Sequence, residues 1–154
     1  MSQSTFALDL PTEDVTAAFA GQVGRILAPG DTILLSGPVG AGKSFFSRAL
    51  IRARTGTAED IPSPTFTLVQ TYPHVDGDVW HCDLYRLTDP DEVVELGLDE
   101  AFETAICLIE WPDRLGSLQP SQALELTFSA EEAGHRVTAR LTEFWQARLK
   151  DIHV

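Results

Sequence analysis

Short apolar runs alternate with amphipathic stretches along most of this chain. The first stretch, Thr5–Leu10 (TFALDL), alternates apolar and polar residues with the period of two that is typical of a β-strand. Over Val15–Leu27 the apolar residues recur every three or four positions, which predicts a helix. The continuous apolar runs Thr32–Ser36 (TILLS) and Ala105–Ile109 (AICLI) are typical of strands buried on both faces of a parallel sheet.

The first two helices carry start and stop signals. Thr12 can cap the N-terminus of the first helix with its hydroxyl, and Gly30 can follow its end. A second helix is predicted over Lys43–Thr55, with Gly56 as its stop. These helices flank the strand Thr32–Ser36, which indicates the strand–helix alternation of an α/β fold.

The remaining predicted elements are shorter and lie between turn residues. They are the strands Phe66–Tyr72, Val79–Leu84, Ala123–Ser129 and Arg136–Leu141, an acidic helix from Asp89-Pro90 to about Leu96 that breaks at Gly97, and a helical tail after Thr142. The turn Glu131–Gly134 joins the last two strands into an antiparallel hairpin. We therefore predict a three-layer α/β fold in a single domain over residues 1–154, with a mainly parallel sheet and this hairpin as its antiparallel edge.

The charge of the chain restricts its partners. It has 23 Asp and Glu residues against 11 Lys and Arg, which gives a formal net charge of −12. An acidic surface repels polyanions, so we expect no strong direct binding of nucleic acid. No apolar stretch approaches the ~20 residues of a membrane span, and no signal-peptide pattern begins the chain. We therefore expect a cytoplasmic protein without a membrane segment.

The cysteines and histidines do not predict a metal centre. Cys82 and Cys107 lie within apolar, strand-like runs and lack CxxC spacing, which is typical of buried thiols. The four histidines share no ligand spacing. A zinc site is therefore not expected.

A phosphate-binding pattern follows the second predicted strand. The residues GPVGAGKS at 37–44 match G-x-x-x-x-G-K-[ST] between that strand and the second helix. Glycines let backbone N–H groups turn toward phosphate oxygens, and the helix N-terminus adds its positive dipole end. The pattern therefore indicates a P-loop NTPase fold. The predicted nucleotide-binding residues are Gly37, Val39, Gly40, Ala41, Gly42, Lys43, Ser44 and Phe45.

Two side chains of this loop have specific predicted roles. Lys43 is placed to bridge the terminal phosphates as a catalytic residue, and Ser44 to offer its hydroxyl to a magnesium ion. Guanine-specific P-loop proteins use an Asn-Lys-x-Asp element, whereas this chain contains no asparagine. We therefore expect ATP and Mg²⁺ as cofactors. The alternative is a glycine-rich strand-to-helix turn that binds nothing. We favour phosphate binding because the full pattern stands between an apolar strand and a helix, where its mechanism requires it.

Two acidic residues stand where predicted strands end, which is where ligands bind in parallel α/β sheets. Glu110 follows Ala105–Ile109 and could hold magnesium directly or through water; the alternative is a surface acid at a strand end. Asp83 lies in the run Val79–Leu84 and could orient the attacking water or hold a metal-bound water. The alternative for Asp83 is a strand residue that faces solvent.

Two further residues are candidates for sensing the nucleotide. Thr65 lies in the loop after the second helix, where P-loop proteins keep a hydroxyl that senses the terminal phosphate, although a proline-fixed loop without function fits the sequence equally well. Trp111 directly follows Glu110 and is either a core residue or an aromatic that gates or reports the nucleotide state.

Four segments taken together resemble the bacterial TsaE (YjeE) family. They are GPVGAGKSFFSRAL at 37–50, SPTFTLVQTY at 63–72, HCDLYRL at 81–87 and AICLIEWPDRLG at 105–116. Their order, their spacing and the total length agree with the family. The resemblance implies a P-loop ATPase needed for threonylcarbamoyladenosine modification of tRNA, which works by engaging the TsaD and TsaB proteins.

The resemblance also implies roles for individual residues. The metal site of the family matches Ser44 and Glu110, and its catalytic or switch acid matches Asp83. The switch hydroxyl of the family matches Thr65, with Trp111 beside the site.

One position departs from the family, and two other functions remain open. The family usually has a second hydroxyl residue after that of the loop, whereas this chain has Phe45, whose backbone N–H can still contact the α-phosphate. The main rival function is a small-molecule kinase, which usually needs an arginine-bearing lid and an acceptor pocket. The third is a non-enzymatic adapter that uses bound nucleotide as a structural support.

Overall fold

A computed structural model gives the structure of residues 4–38, 40–57, 61–62 and 68–152. Over these residues it contains seven strands, five α-helices and one 3₁₀ helix. The strands are β1 (Ser4–Leu10), β2 (Thr32–Ser36), β3 (Val69–Tyr72), β4 (Val79–Asp83), β5 (Ile106–Glu110), β6 (Leu124–Glu131) and β7 (Gly134–Leu141). The α-helices are α1 (Glu13–Ile26), α2 (Lys43–Thr55), α3 (Asp91–Glu95), α4 (Leu98–Thr104) and α5 (Glu143–Leu149), and the 3₁₀ helix spans Pro112–Leu118.

The seven strands form one sheet in the order β1-β7-β6-β2-β5-β4-β3. The four central strands β6, β2, β5 and β4 run parallel to one another. Strand β3 pairs with β4, and β7 with both β6 and β1, in antiparallel fashion. This arrangement confirms the predicted α/β fold with a parallel centre, and both edges of the sheet are antiparallel.

The position of the C-terminal hairpin differs from the prediction. We expected β6 and β7 to form the edge, but β1 pairs with β7 along its whole length, from Ser4 opposite Leu141 to Leu10 opposite His135. The sequence pattern shows that β1 is a strand, whereas its neighbour is decided by long-range hydrogen bonding. Strand β1 therefore forms this edge of the sheet, and the hairpin of β6 and β7 lies between β1 and β2.

The apolar runs of the central strands are buried on both faces of the sheet. In β2 the side chains of Ile33 and Leu35 pack into the core beneath α1 and α2, while Leu34 packs on the opposite side with α3 and α4. In β5 the same alternation places Leu108 on the first side and Ile109 on the second. Two helical layers therefore enclose the sheet, as the three-layer prediction requires.

Helix α2 matches its predicted bounds, whereas α1 spans Glu13–Ile26 rather than the predicted Val15–Leu27. Helix α2 begins at Lys43 and ends at Thr55, and the N–H of Gly56 closes its last turn on the Arg52 carbonyl at 2.8 Å. In α1 the Thr12 hydroxyl accepts a hydrogen bond from the Val15 N–H at 3.2 Å, which confirms the predicted cap.

Several short elements differ from the sequence prediction. Sequence reasoning missed α4, which begins directly after the predicted break at Gly97, and the 3₁₀ helix after Trp111. Strand β3 begins at Val69, directly after Leu68, whose φ of +67° is not that of a strand, and the predicted start at Phe66 lies outside the described residues. Elements of five to seven residues hold too few turns for periodicity to define them.

Both cysteines are unpaired and buried, as their apolar surroundings predict. Cys82 and Cys107 lie on the neighbouring strands β4 and β5, within the core beneath α3 and α4. Burial raises the pKa of the Cys107 thiol to about 12, and it raises the pKa of Cys82 well above the usual value. In the described part of the chain, no helix has the length and apolar character to cross a membrane.

Candidate functional site

The loop between β2 and α2 packs closely on the sheet. At Gly37 the backbone has φ of +129°, and a Cβ atom there would lie 2.3 Å from the Phe128 carbonyl oxygen of β6. Only glycine fits this approach. The Ala41 side chain is buried, and its N–H donates to the Pro38 carbonyl at 3.2 Å. Gly37 and Ala41 therefore support the loop from the protein side, and Val39 lies outside the described residues.

A cavity of about 370 Å³ opens beside this loop. Its lining brings together most of the residues predicted from the sequence: Gly40, Gly42, Lys43, Ser44, Phe45, Asp83, Glu110 and Trp111. One further lining residue, His135 of β7, was not predicted. The cavity lies at the carboxyl ends of the parallel strands, which is the ligand position of doubly wound sheets. The predicted residue Thr65 lies outside the described residues.

Lys43 lies at the first position of α2 and is only 5% exposed. Its ammonium donates to the Gly37 carbonyl and stands 3.9 Å from the centre of the Trp111 ring. Burial lowers the pKa of Lys43, while the nearby carboxylates, first Glu110 and then Asp83, act in the opposite direction. The side chain is therefore a partly desolvated cation held at the mouth of the phosphate loop.

Ser44 and Glu110 meet across the cavity. The Ser44 Oγ lies 3.3 Å from the Glu110 Oε1, although 66 positions separate the two residues in the chain. Glu110 ends β5, which lies parallel to the strand that leads into the loop, and it is 3% exposed. A surface acid at a strand end is therefore excluded for Glu110. Two hard oxygen ligands at this distance suit a small divalent cation.

Asp83 stands beside Glu110 at the end of β4. The two residues are partners in the parallel register of β4 and β5. Asp83 is 7% exposed, and its Oδ1 accepts a hydrogen bond from the Tyr85 N–H at 3.0 Å. The alternative of a solvent-facing strand residue is therefore wrong. Asp83 lines the cavity, where a carboxylate can orient a water molecule.

Trp111 adopts a left-handed backbone conformation that residues other than glycine rarely take. Its φ and ψ are +61° and +55°, and this conformation directs the chain from β5 into the 3₁₀ helix. Its ring lies over the Lys43 ammonium on one side and packs against Tyr85, with ring centres 4.9 Å apart. Strain of this kind often occurs at functional sites. Trp111 is therefore a wall of the cavity that contacts the predicted catalytic lysine.

Two histidines contact the site, although the histidines of this chain show no ligand spacing. The Nε2 of His81 lies 2.7 Å from the Glu110 Oε2, and His81 has no exposed surface. The Nε2 of His135 lies 3.1 Å from the Gly40 carbonyl oxygen. His81 could have been found from the sequence, because it stands two residues before Asp83 and therefore on the same face of β4. His135 is 95 positions from Gly40 and has no comparable signal.

A second, smaller cavity adjoins the phosphate loop. It measures about 160 Å³ and is lined by residues of the β1–α1 connection, among them Pro11 and Thr12, together with Gly42, Phe45 and Phe128. The two cavities are adjacent, because Gly42, Phe45 and His135 line both of them. Lys43, Asp83 and Glu110 line only the larger cavity, which we therefore call the polar cavity, whereas Phe45 contributes to both.

Comparison with known proteins places the site in a family context. Residues 10–138 match the sequence profile of the family described as threonylcarbamoyl adenosine biosynthesis protein TsaE. The chain is 38% identical to a tRNA threonylcarbamoyladenosine biosynthesis protein TsaE of Rickettsia bellii over 88% of this chain and 94% of that one. The TsaE protein of Treponema pallidum is 34% identical, over 79% and 89% of the two chains.

A solved structure has a similar fold. The crystal structure of Bacillus subtilis YdiB superposes with a TM-score of 0.76, covering 97% of this chain and 93% of that one, at 24% sequence identity. At this identity the similarity supports the fold alone.

Proposed function

Because this chain belongs to the TsaE family of threonylcarbamoyl adenosine biosynthesis proteins, we propose that it is an ATP-binding subunit that hydrolyses ATP slowly and is needed for threonylcarbamoyladenosine modification of tRNA. In this proposal it acts in the cytoplasm through the TsaD and TsaB proteins. The observation that carries the proposal is the 3.3 Å approach of the Ser44 and Glu110 oxygens beside the phosphate loop. P-loop ATPases use a loop hydroxyl and a strand-end carboxylate in this way.

The chemistry of Ser44 and Glu110 fits magnesium. Mg²⁺ prefers oxygen ligands, and it commonly takes one or two of them from the protein and the others from phosphates and water. Among the described residues, no group of three or more His, Cys, Asp or Glu side chains forms a metal cage. The pair therefore suits an ion that arrives with a nucleotide. Bound there, the ion would neutralise charge that develops on the phosphates.

Lys43 and Asp83 take the remaining roles in the polar cavity. When a triphosphate enters, the Lys43 ammonium exchanges the Gly37 carbonyl and the Trp111 ring for phosphate oxygens. Asp83 lies beside Glu110 and is placed to orient a water molecule toward the terminal phosphate. Trp111 contacts Lys43 directly, so its surroundings change when the lysine moves. This contact supports a gating or reporting role for Trp111.

The smaller cavity suits the nucleotide base. Its described lining includes Gly42 and Phe45 but neither Lys43 nor Glu110, and this lining is mainly apolar. A planar base can stack on such a surface while backbone groups of the β1–α1 connection contact its edge. In this placement Phe45 lines the base cavity in place of the second hydroxyl residue that the family usually has.

A phosphoryl acceptor other than water is less well supported. Kinases need positive side chains around the transferred group and a lid that covers it. The described lining of the polar cavity contains no arginine, and the segment after Trp111 is a seven-residue 3₁₀ helix rather than a long lid. These features favour an ATPase over a small-molecule kinase.

The proposal is tested by ATP hydrolysis of the purified chain with magnesium, alone and with TsaB and TsaD added. The chain offers a matched control because it has only two lysines, Lys43 and Lys150. We expect slow hydrolysis alone and faster hydrolysis with both partners. The K43A variant should lose about 10²–10³-fold of this rate, the range found when one stabilising donor is removed.

The exposed Lys150 lies at the end of α5, so K150A should hydrolyse ATP like the wild type. A rate that is the same in the K43A variant would refute an ATPase site at this loop. A rate that the partners do not change would refute the proposed coupling to TsaD and TsaB.

A further inference from the structure

We propose that His81 is a positioning residue that holds the Glu110 carboxylate ready for the metal ion. This inference rests on the proposed function, because it assumes that Glu110 binds a metal–nucleotide complex. The His81 Nε2 lies 2.7 Å from the Glu110 Oε2, while the Glu110 Oε1 faces the Ser44 hydroxyl at 3.3 Å. One oxygen of the carboxylate is therefore held by the protein, and the other points to the site.

The register of the sheet creates this contact. Asp83 pairs with Glu110 across β4 and β5, and His81 lies two residues before Asp83 on the same face. His81 is thus the diagonal neighbour of Glu110 on the side that faces α2, within reach of a side-chain hydrogen bond. Asp83 lines the cavity beside Glu110, whereas His81 contacts the Glu110 carboxylate from within the core.

The direction of the hydrogen bond follows from the acceptor. A carboxylate oxygen can only accept, so a bare Nε2 at 2.7 Å would set two lone pairs against each other. Nε2 therefore carries the proton and donates to Glu110. Carboxylates that bind metals are commonly held by such outer hydrogen bonds, which fix their orientation.

Burial of His81 carries a free-energy cost, and this cost indicates that the role of the residue is its contact with Glu110. His81 has no exposed surface, and its Nδ1 has no hydrogen-bond partner in the described part of the chain. A buried polar atom without a partner destabilises the fold, and an apolar residue on β4 would avoid this cost. The histidine gains only the bond to Glu110 in return. A residue selected for packing alone would not need that nitrogen.

The test measures metal binding directly, with Mn²⁺ and a non-hydrolysable ATP analogue as probes. Free Mn²⁺ is followed by electron paramagnetic resonance in the wild type, H81L, H81Q and the control H74L, each as the full chain. The analogue's affinity is also measured in EDTA. We expect H81L to bind Mn²⁺ about 10–100-fold more weakly, the range for loss of an outer hydrogen bond. Its affinity for the analogue in EDTA should stay near the wild-type value.

The variants separate positioning from a general loss of structure. Glutamine can present an N–H near the position of Nε2, so H81Q should recover most of the Mn²⁺ affinity. His74 lies in the connection between β3 and β4, where its Nδ1 accepts a hydrogen bond from the Asp76 N–H at 3.1 Å. H74L therefore also loses a histidine hydrogen bond, but away from the site, and it should bind Mn²⁺ like the wild type. Asparagine is too short to reach Glu110, so H81N should repeat the loss, and it replaces H81L if the leucine variant does not fold.

Three outcomes would overturn the inference. Wild-type Mn²⁺ affinity in folded H81L and H81N would refute the positioning role of His81, and so would an equal loss of analogue affinity in EDTA. A wild-type chain that binds no Mn²⁺–nucleotide would refute the proposed function and this inference together. Loss of Mn²⁺ binding in H81L with recovery in H81Q would support the inference.

Discussion

Alanine variants of Gly37 and Gly40 distinguish two contributions of the phosphate loop to stability, its packing on β6 and its backbone conformation. Both glycines belong to the loop pattern and have positive φ, +129° at Gly37 and +83° at Gly40. A Cβ at Gly37 would lie 2.3 Å from the Phe128 carbonyl oxygen, whereas a Cβ at Gly40 would meet no atom within 4 Å. Both variants therefore strain the backbone, but only Gly37→Ala also collides with β6.

The magnitudes follow from these distances. A residue other than glycine in a left-handed conformation costs roughly 1–2 kcal/mol, which we expect for G40A. Ordinary van der Waals contact begins at 3.4 Å, so G37A forces β6 to withdraw by about 1 Å. Overpacking of this kind costs about 1–3 kcal/mol more. For a domain of this size each kcal/mol lowers the melting temperature by roughly 2–4 °C.

The assay is thermal unfolding of the nucleotide-free proteins, followed by circular dichroism. Without nucleotide, the measured difference reports the fold rather than the binding of phosphate. We expect G40A to melt roughly 2–8 °C below the wild type and G37A to melt clearly lower than G40A. If G37A melted at or above G40A, the close packing of the loop on β6 would not contribute to stability and the argument would be wrong.

Two further predictions concern stability away from the loop. Arg148 of α5 forms an ion pair with the nearly buried Asp31 at 2.6 Å, and R148M should lower the free energy of unfolding by about 1.5–3 kcal/mol in urea titrations, the range for a lost hydrogen bond to a charged group. K150M should not lower it, and equal stability of the two variants would contradict this reasoning. The pKa of Cys107 is raised from its usual value of 9.0 to about 12, so the folded chain keeps a proton that the unfolded chain loses, and stability should fall as pH rises from about 9 to 12. Each buried thiol contributes a limiting slope of about 1.4 kcal/mol of stability per pH unit. The C107A variant should lose the contribution of Cys107 to this slope and keep that of Cys82. An unchanged slope in C107A would refute the assignment of the pH dependence to Cys107.

The family and the main parts of the site were accessible from the sequence because their signals are local. The loop pattern at 37–44 needs only eight consecutive residues, and the strand and helix that flank it show their own periods. The prediction of β2 and α2 agrees with the structure at both ends of each element. Glu110 and Asp83 could be chosen because strand ends in parallel sheets collect ligand groups, and both line the cavity.

Contacts between distant strands required the tertiary structure. The pairing of β1 with β7 links the two ends of the chain, and alternation alone does not identify the neighbour of a strand. The same holds for His135, which reaches Gly40 only because the hairpin lies beside the loop. Local periodicity defines which residues face one side of an element, but hydrogen bonding and core packing decide which elements meet.

The sequence by itself determined the phosphate loop, the strand-end acids and the alternation of strands and helices, because each depends on residues that are close together in the chain. Only the tertiary structure decided that Lys43 rests on the Trp111 ring and that His81 holds Glu110. These contacts join residues 68 and 29 positions apart, and they form because the parallel register of β4, β5 and β2 aligns the strand ends. The identities of the site residues could therefore be found from local sequence, whereas their relative positions are determined by the pairing of the strands.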